Sequence, residues 1–352
     1  MLDLMELLRK VVEDEASDLF LVAGGPASEK IDGHLFQLDQ KRLMPADTEV
    51  LLKAIYEQAK RPMDHYLAKG DDDFSFAVSG LARFRVNAYR QRGSMAAVVR
   101  VVSFDIPSWE ELRIPEQVMK LADVTHGMVL VTGTAGSGKS TTQACIIDRI
   151  NKTRECHIVT LEDPIEHLHR HQKSIVSQRE VAIDTKDYLS ALRATVRQAP
   201  DVILLGEMRD PETIRTAISA AETGHLVLAT LHTKGAVNAI DRIIDAFPST
   251  QQSQVRVQLA TVLKTVVSQQ LLPDDQGGQV PACEILRCTG AIRSLIRDNK
   301  NHQIDNVIAS GAREGMCSMD QAILSLYRAG KIRRETAIHY ADNPEQMQRH
   351  LG

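Results

Sequence analysis

The chain has no surplus of basic charge: 42 Lys and Arg stand against 46 Asp and Glu, a formal net charge of −4 over 352 residues. A protein that holds nucleic acid by general charge needs such a surplus to neutralise phosphates, so this class is disfavoured. Aromatic residues are scarce too, at 4% with a single Trp, which leaves little material for the stacking platforms that bind single strands. No apolar run approaches the roughly 18 residues of a membrane span. The strongest, Met128–Val131 and Val202–Leu205, are strand-sized, so any membrane attachment is expected to be peripheral. Five cysteines, Cys145, Cys156, Cys283, Cys288 and Cys317, are odd in number and irregularly spaced, which fits reduced thiols in a cytoplasm better than a disulfide framework. Residues 1–12 alternate Leu and Met with charged residues at helical spacing and lack a small-residue cleavage site; they read as an amphipathic helix, not a signal peptide.

What is present describes a globular protein of about two to three domains. Leu4, Leu7, Leu8, Val11 and Val12 make one helical face. Asp18–Val22 has strand character, and Asp32-Gly33 offers a hairpin turn before Leu35, Phe36 and Leu38. A helix is expected from about Pro45 to Lys60, then strands at Phe74–Val78, Leu81–Arg90 and Met95–Val102. The middle one alternates strictly, with Arg83, Arg85, Asn87 and Tyr89 on one face and Phe84, Val86 and Ala88 on the other. Ser103–Pro115, with two prolines and the Trp, is the expected linker between a domain of residues 1–102 and one of residues 116–352.

Beyond Glu116 the pattern changes to short apolar runs without polar alternation, Met128–Thr132, Cys156–Leu161, Val202–Leu205 and Leu226–Leu231. Such runs are buried on both faces, as in a parallel sheet covered by helices. Asp210-Pro211 reads as a helix start and Gly224 as its end. From about Gln251 the chain is expected to be mostly helical, interrupted by a turn at Asp274–Gly278 and a strand at Val280–Leu286.

Three motifs carry chemistry. Gly133-Thr134-Ala135-Gly136-Ser137-Gly138-Lys139-Ser140 matches G-x-x-x-x-G-K-[ST], preceded by an apolar strand and followed by the helix-compatible Thr141–Ile150. Glycines let backbone N–H groups approach a polyphosphate, and a helix N-terminus adds a favourable dipole. Lys139 would neutralise the β- and γ-phosphates of ATP and Ser140 would ligate Mg²⁺. Second, Val202–Leu205 runs into Gly206-Glu207, a strand ending in an acid that can orient or deprotonate water. It is expected beside the P-loop strand. Gly206 stands where an Asp is usual, so Glu162-Asp163 is the expected source of the missing Mg²⁺ contact. Third, Thr223–Thr233 places His225 and His232 at the two ends of another buried strand, so the pair is not expected to share one site.

Arg83, Arg85 and Arg100 either form a solvated strand face or reach the γ-phosphate of a nucleotide held elsewhere. His167, His169 and His171 share a strand-like face and Cys283 and Cys288 are spaced C-x₄-C, but neither pattern suffices for a metal site.

Taken together, these residues resemble the secretion and pilus-motor ATPase superfamily, most closely the type IV pilus retraction ATPases. The resemblance runs through Ala16-Ser17-Asp18-Leu19, Ala82–Ala88, the P-loop, Leu161–Glu166 (the family's Asp box), Gly206–Asp210 (its Walker B), Thr223–Thr233 (its His box) and Ala291–Asp298, similar to a motif linked to retraction. It implies an α/β protein with an N-terminal PAS-like domain and a C-terminal RecA-like P-loop domain bearing a helical C-terminal region, assembled as a homohexamer. By the same resemblance Gly133 to Thr141 bind ATP, Glu207 is the catalytic base, and Glu162 and Asp163 act around metal and water. His225 and His232 become nucleotide-sensing or interface residues, and Arg85 and Arg100 γ-phosphate contacts. The implied activity is Mg²⁺-dependent ATP hydrolysis that drives pilus disassembly and twitching motility, at the cytoplasmic face of the inner membrane and through a pilus platform protein. Departures occur at Pro26–Lys30, Gln143, Cys145, Ser294 and Asp298. The rival readings are a pilus-extension or type II secretion ATPase and a nucleic-acid translocase on the same core.

Overall fold

The protein is described by a computed structural model covering residues 3–31, 33–102 and 106–351. It divides into two units, Met1–Asp105 with Glu166–Leu168, and Ile106–Ile165 with His169–Gly352. Both are α/β.

In the first unit, α1 (Leu4–Glu13) precedes β1 (Asp18–Leu21), β2 (Pro26–Ile31) and β3 (His34–Arg42); then come α2 (Pro45–Gln58), α3 (Asp64–Lys69), β4 (Asp71–Val78), β5 (Ala82–Gln91) and β6 (Ser94–Val102). Among the described residues these strands make one antiparallel sheet in the order β3-β2-β1-β6-β5-β4. The alternation of β5 decides its faces: Phe84, Val86 and Ala88 are fully buried in a core with Leu8 and Val11 of α1 and Leu52 and Ile55 of α2. Gly33, with φ 82°, lies in the β2–β3 connection; its expected partner in the turn, Asp32, lies outside the described residues. Strand β2 had no clear signature, because Ser28, Glu29 and Lys30 interrupt any apolar pattern.

This unit also buries a charge. Asp72, whose side chain is 2% exposed, accepts hydrogen bonds from Tyr56 Oη at 2.9 Å and from Arg61 Nε and Nη2 at 3.0 and 2.9 Å. Burial alone would raise the Asp72 carboxyl, but Arg61 and Tyr56 outweigh it and the net direction is downward.

In the second unit, α4 (Glu116–Met119) precedes β7 (Gly127–Thr132), α5 (Lys139–Thr153), β8 (His157–Glu162), β9 (Ile175–Glu180), α6 (Tyr188–Thr195), β10 (Val202–Leu205), α7 (Pro211–Glu222) and β11 (Leu226–Leu231). Then follow α8 (Ala236–Asp245), α9 (Ser249–Val262), β12 (Leu263–Pro273), β13 (Gln279–Arg287) and short helices to Leu351. The sheet order among the described residues is β13-β12-β7-β11-β10-β8-β9, parallel except for β13. Alternate residues feed two cores. Ile203, Leu205, Val227 and Ala229 pack with α6 to α9, whereas Val202, Leu204, Leu226 and Leu228 pack with α4 and α5. Two-sided burial is why the strand sequences lack polar alternation. Among the described residues no helix is long and apolar enough to cross a membrane.

Four expectations are corrected. Leu263–Pro273 is not helical but an eleven-residue strand; Leu263, Val266 and Val267 sit at helical spacing, and burial on both faces removes the period-two signal. Strand β10 does not lie beside the P-loop strand, because β11 is inserted between them. No strand covers residues 167–171: His169 N–H donates to Gln178 and His171 Nδ1 accepts from the Val176 N–H. Of the expected linker, residues 103–105 lie outside the described residues, and the rest belongs to the second unit. There Ile114 is buried, Trp109 packs on the same core and Arg113 pairs with Asp274 at 3.0 Å.

Because the folded-state carboxyl of Asp72 lies below its ordinary value, its contribution is full above the usual carboxylate range and is lost as pH falls through the folded value. Asp72→Asn should therefore lower stability near neutral pH by about 1–3 kcal/mol. In thermal melts from neutral to acid, that gap from the parent protein should close below about pH 4.

Candidate nucleotide-binding site

Strand β7 is buried along its whole length and ends at Thr132, between Leu231 of β11 and Ser268 of β12. The chain then turns through Gly133, Gly136 and Gly138 at φ 147°, 75° and 81°. Gly133 has no alternative: a Cβ there would lie 2.4 Å from the Gln269 carbonyl oxygen and 2.5 Å from Ser137 Oγ. Helix α5 starts at Lys139 with no side chain capping it at Gly138, so its first N–H groups point outward without intrahelical partners. Thr134, Ala135, Gly136 and Ser140 are exposed at the rim, and Thr141 is half-buried. Lys139 is buried, and its Nζ donates to the carbonyls of Gly133 and Thr134 at 2.9 and 2.8 Å. Ser137 Oγ is buried and, among the described residues, lacks a hydrogen-bond partner. A concave ring of donors around a close-approaching backbone fits a polyphosphate.

Two strands along the same C-terminal edge, β10 delivers Gly206 and Glu207. Glu207 Oε2 pairs with Arg209 Nη2 at 2.7 Å and Oε1 faces His232 Nε2 at 3.4 Å. Burial pushes the Glu207 carboxyl up, but Arg209 and His232 together prevail, leaving it below the usual carboxylate range. Thr230 Oγ1 on β11 donates to the Gly206 carbonyl. One strand further, Glu162 Oε1 accepts from Thr160 Oγ1 at 2.6 Å and Gln178 Nε2 at 3.1 Å. Tyr188, at the start of α6, has its hydroxyl pushed well up, first by burial and then by Asp163, Glu207 and Glu162.

A phosphate cradle and an ionised carboxylate thus share one edge of a parallel sheet, where open α/β sheets bind ligands. Residues 2–347 match the family described as Type II/IV secretion system protein. The chain belongs to that family. It is 43% identical over 347 residues to the type IV pilus retraction ATPase PilT of Pseudomonas aeruginosa, covering 98% of this chain and all 100% of that one. To the type IV pilus ATPase PilU of the same organism it is 41% identical over 344 residues, 97% of this chain and 89% of that one. A crystal structure of the pilus retraction motor PilT with bound ADP superposes with TM-score 0.90 at 45% identity, over 99% of this chain and 100% of that one.

Within this secretion-family chain the candidate residues fall into separate groups. Glu162 and Asp163 stand at the end of β8, three strands from β7, or about 14 Å at ordinary strand spacing. They stand on the Glu207 side of the edge, on the strand next to β10. Among the described residues no group of three or more His, Cys, Asp or Glu could hold a metal ion; Ser140 with phosphate oxygens is the donor set that suits Mg²⁺ here. His225 sits at the opposite end of β11, its Nδ1 2.9 Å from the Ala220 carbonyl oxygen and 3.2 Å from Thr223 Oγ1. It lies at the end of β11 away from this chain's own P-loop. In the first unit, Arg85 and Arg100 are directly opposite across β5 and β6. They line a cavity of about 240 Å³ with Asp18, Asp73, Asn87 and Val98, and Arg100 Nε donates to Asp18 Oδ1 at 2.8 Å.

One residue that holds the loop went unseen in the sequence because its strand did. Gln269 of β12 is buried; its Nε2 donates to the Ser137 carbonyl at 2.7 Å and its Oε1 accepts from Thr142 Oγ1 at 2.8 Å. It ties the loop to the helix the loop opens. Gln269→Leu should weaken ATP binding about tenfold through loss of these bonds, read by nucleotide titration; unchanged affinity would show that the loop keeps its shape unaided.

Proposed function

We propose that the chain is a Mg²⁺-dependent ATPase that works as a ring of six to drive type IV pilus retraction. The observation that carries this reading is the P-loop cradle on the same sheet edge as an ionised Glu207, in a chain alike from end to end to a retraction motor. Gly133 to Thr141 would bind the phosphates through backbone N–H groups, with Lys139 leaving its loop carbonyls for the β- and γ-oxygens. Mg²⁺ held through Ser140 would supply charge neutralisation at those oxygens. Glu207 would align water and take its proton as the water oxygen bonds to the γ-phosphorus and the bond to the ADP oxygen breaks. Arg209 and His232 keep that carboxylate ionised, and Glu162 and Asp163 flank it. His232, at the end of β11, links the state of Glu207 to the segment that leads into α8.

In this reading the first unit is the PAS-like domain, and Arg85 and Arg100, with Arg83 beside them, reach the γ-phosphate of a nucleotide held elsewhere in the ring. His225, at the opposite end of its strand, serves an interface. The ring pulls pilin out of the filament through a platform protein of the inner membrane, from the cytoplasmic side. An extension or type II secretion motor is the second reading; the absence of a metal-holding cysteine cluster among the described residues disfavours its zinc-bearing form.

Lys139→Ala and Glu207→Gln should each lower ATP turnover by at least about 100-fold, and neither should restore retraction in cells lacking their own retraction motor, whereas the parent chain should. Parent-like turnover in either variant would remove the site assignment, and parent-driven pilus growth without retraction would favour the second reading. Since Arg209 depresses the Glu207 carboxyl, Arg209→Gln should move the acid limb of the pH–rate profile upward.

A further inference from the structure

Gly206 is a glycine for lack of space. Its φ is not among the positive values, so its backbone conformation does not demand glycine. A Cβ there would lie 2.8 Å from the Tyr188 hydroxyl oxygen, 3.2 Å from the Leu161 carbonyl oxygen and 3.4 Å from Glu162 Cα. The residue cannot easily shift, since its N–H donates to Leu161 O at 2.8 Å and its carbonyl accepts from Thr230 Oγ1. Tyr188 is equally fixed. It opens α6, whose N-cap Asp187 accepts from the Ser190 N–H at 2.7 Å, and its ring packs on the main core of the second unit.

We infer that the Tyr188 hydroxyl occupies the volume that a side chain before Glu207 would fill, and that Tyr188 is a positioning residue whose hydroxyl holds in place the backbone leading into Glu207. This rests on the reading of Glu207 as the base. A phenol is neutral throughout the physiological range, so it fills that volume without adding charge beside Glu207, where an acid at position 206 would have added a negative group. The ring of Tyr188 then acts as filler and its hydroxyl as the functional atom, and the two roles separate experimentally.

Tyr188→Phe keeps the ring and removes the oxygen. It should lower kcat about tenfold, as the base loses its fixed placement, with KM for ATP within about twofold. Added to Glu207→Gln, it should change the residual turnover by less than about twofold, because it acts through that carboxylate. An unchanged kcat, an equal loss in both backgrounds, or a loss in KM and melting temperature alone would overturn the assignment. A second measurement does not depend on activity. Gly206→Ala should lower the melting temperature of the parent protein, and the drop should be at least halved in Tyr188→Phe; equal drops would overturn the placement. Loss of the base assignment itself reads differently, as parent-like turnover in Glu207→Gln.

Discussion

The phosphate-binding edge depends on how closely the loop after β7 is drawn onto β12. A backbone that approaches the Gln269 carbonyl oxygen so tightly that a Cβ would stand 2.4 Å away can be built only with glycine. The same approach brings the Gln269 side chain within reach of both the Ser137 carbonyl and Thr142. Loop, helix α5 and strand β12 are therefore tied together. The position of the exposed N–H groups follows from that, and so does the cost of any side chain at Gly133 or Gly138.

At the other side of the edge the governing term is charge. A half-hidden carboxylate would drift toward the neutral acid, which could not take a proton from water. Arg209 and His232 reverse that tendency at Glu207, and each brings a different part of the fold. Arg209 leads into α7 and His232 into α8. Glu207 is thus held between two segments that follow adjacent strands, so an event that disturbs it would be felt in both helices. Motion in such a motor would start there.

Much of this was legible beforehand. The P-loop, Glu207, the Asp box and both histidines are local patterns, and strands such as Val202–Leu205 announce themselves by unbroken apolar runs. What escaped shares one cause. Strand β12 and the neighbours of β10 are matters of long-range pairing: Leu263 and Val266 look helical until β7 and β13 are placed beside them. Gln269 and Tyr188 belong to no motif, and their roles exist only because distant segments meet. The strand order likewise sets Glu162 and Asp163 beside Glu207, which no spacing in the sequence reveals, whereas the placing of His225 and His232 at opposite ends of β11 was legible from the run between them.

If one sheet edge both holds the phosphates and activates the water, a crystal structure with Mg²⁺ and a non-hydrolysable ATP analogue should show it. The β- and γ-phosphates should lie against the N–H groups of the Gly133–Thr141 segment, with Lys139 turned onto them and a water on Glu207 in line with the γ-phosphorus. Phosphates seated elsewhere, or a Glu207 that holds no water while still paired with Arg209, would contradict it.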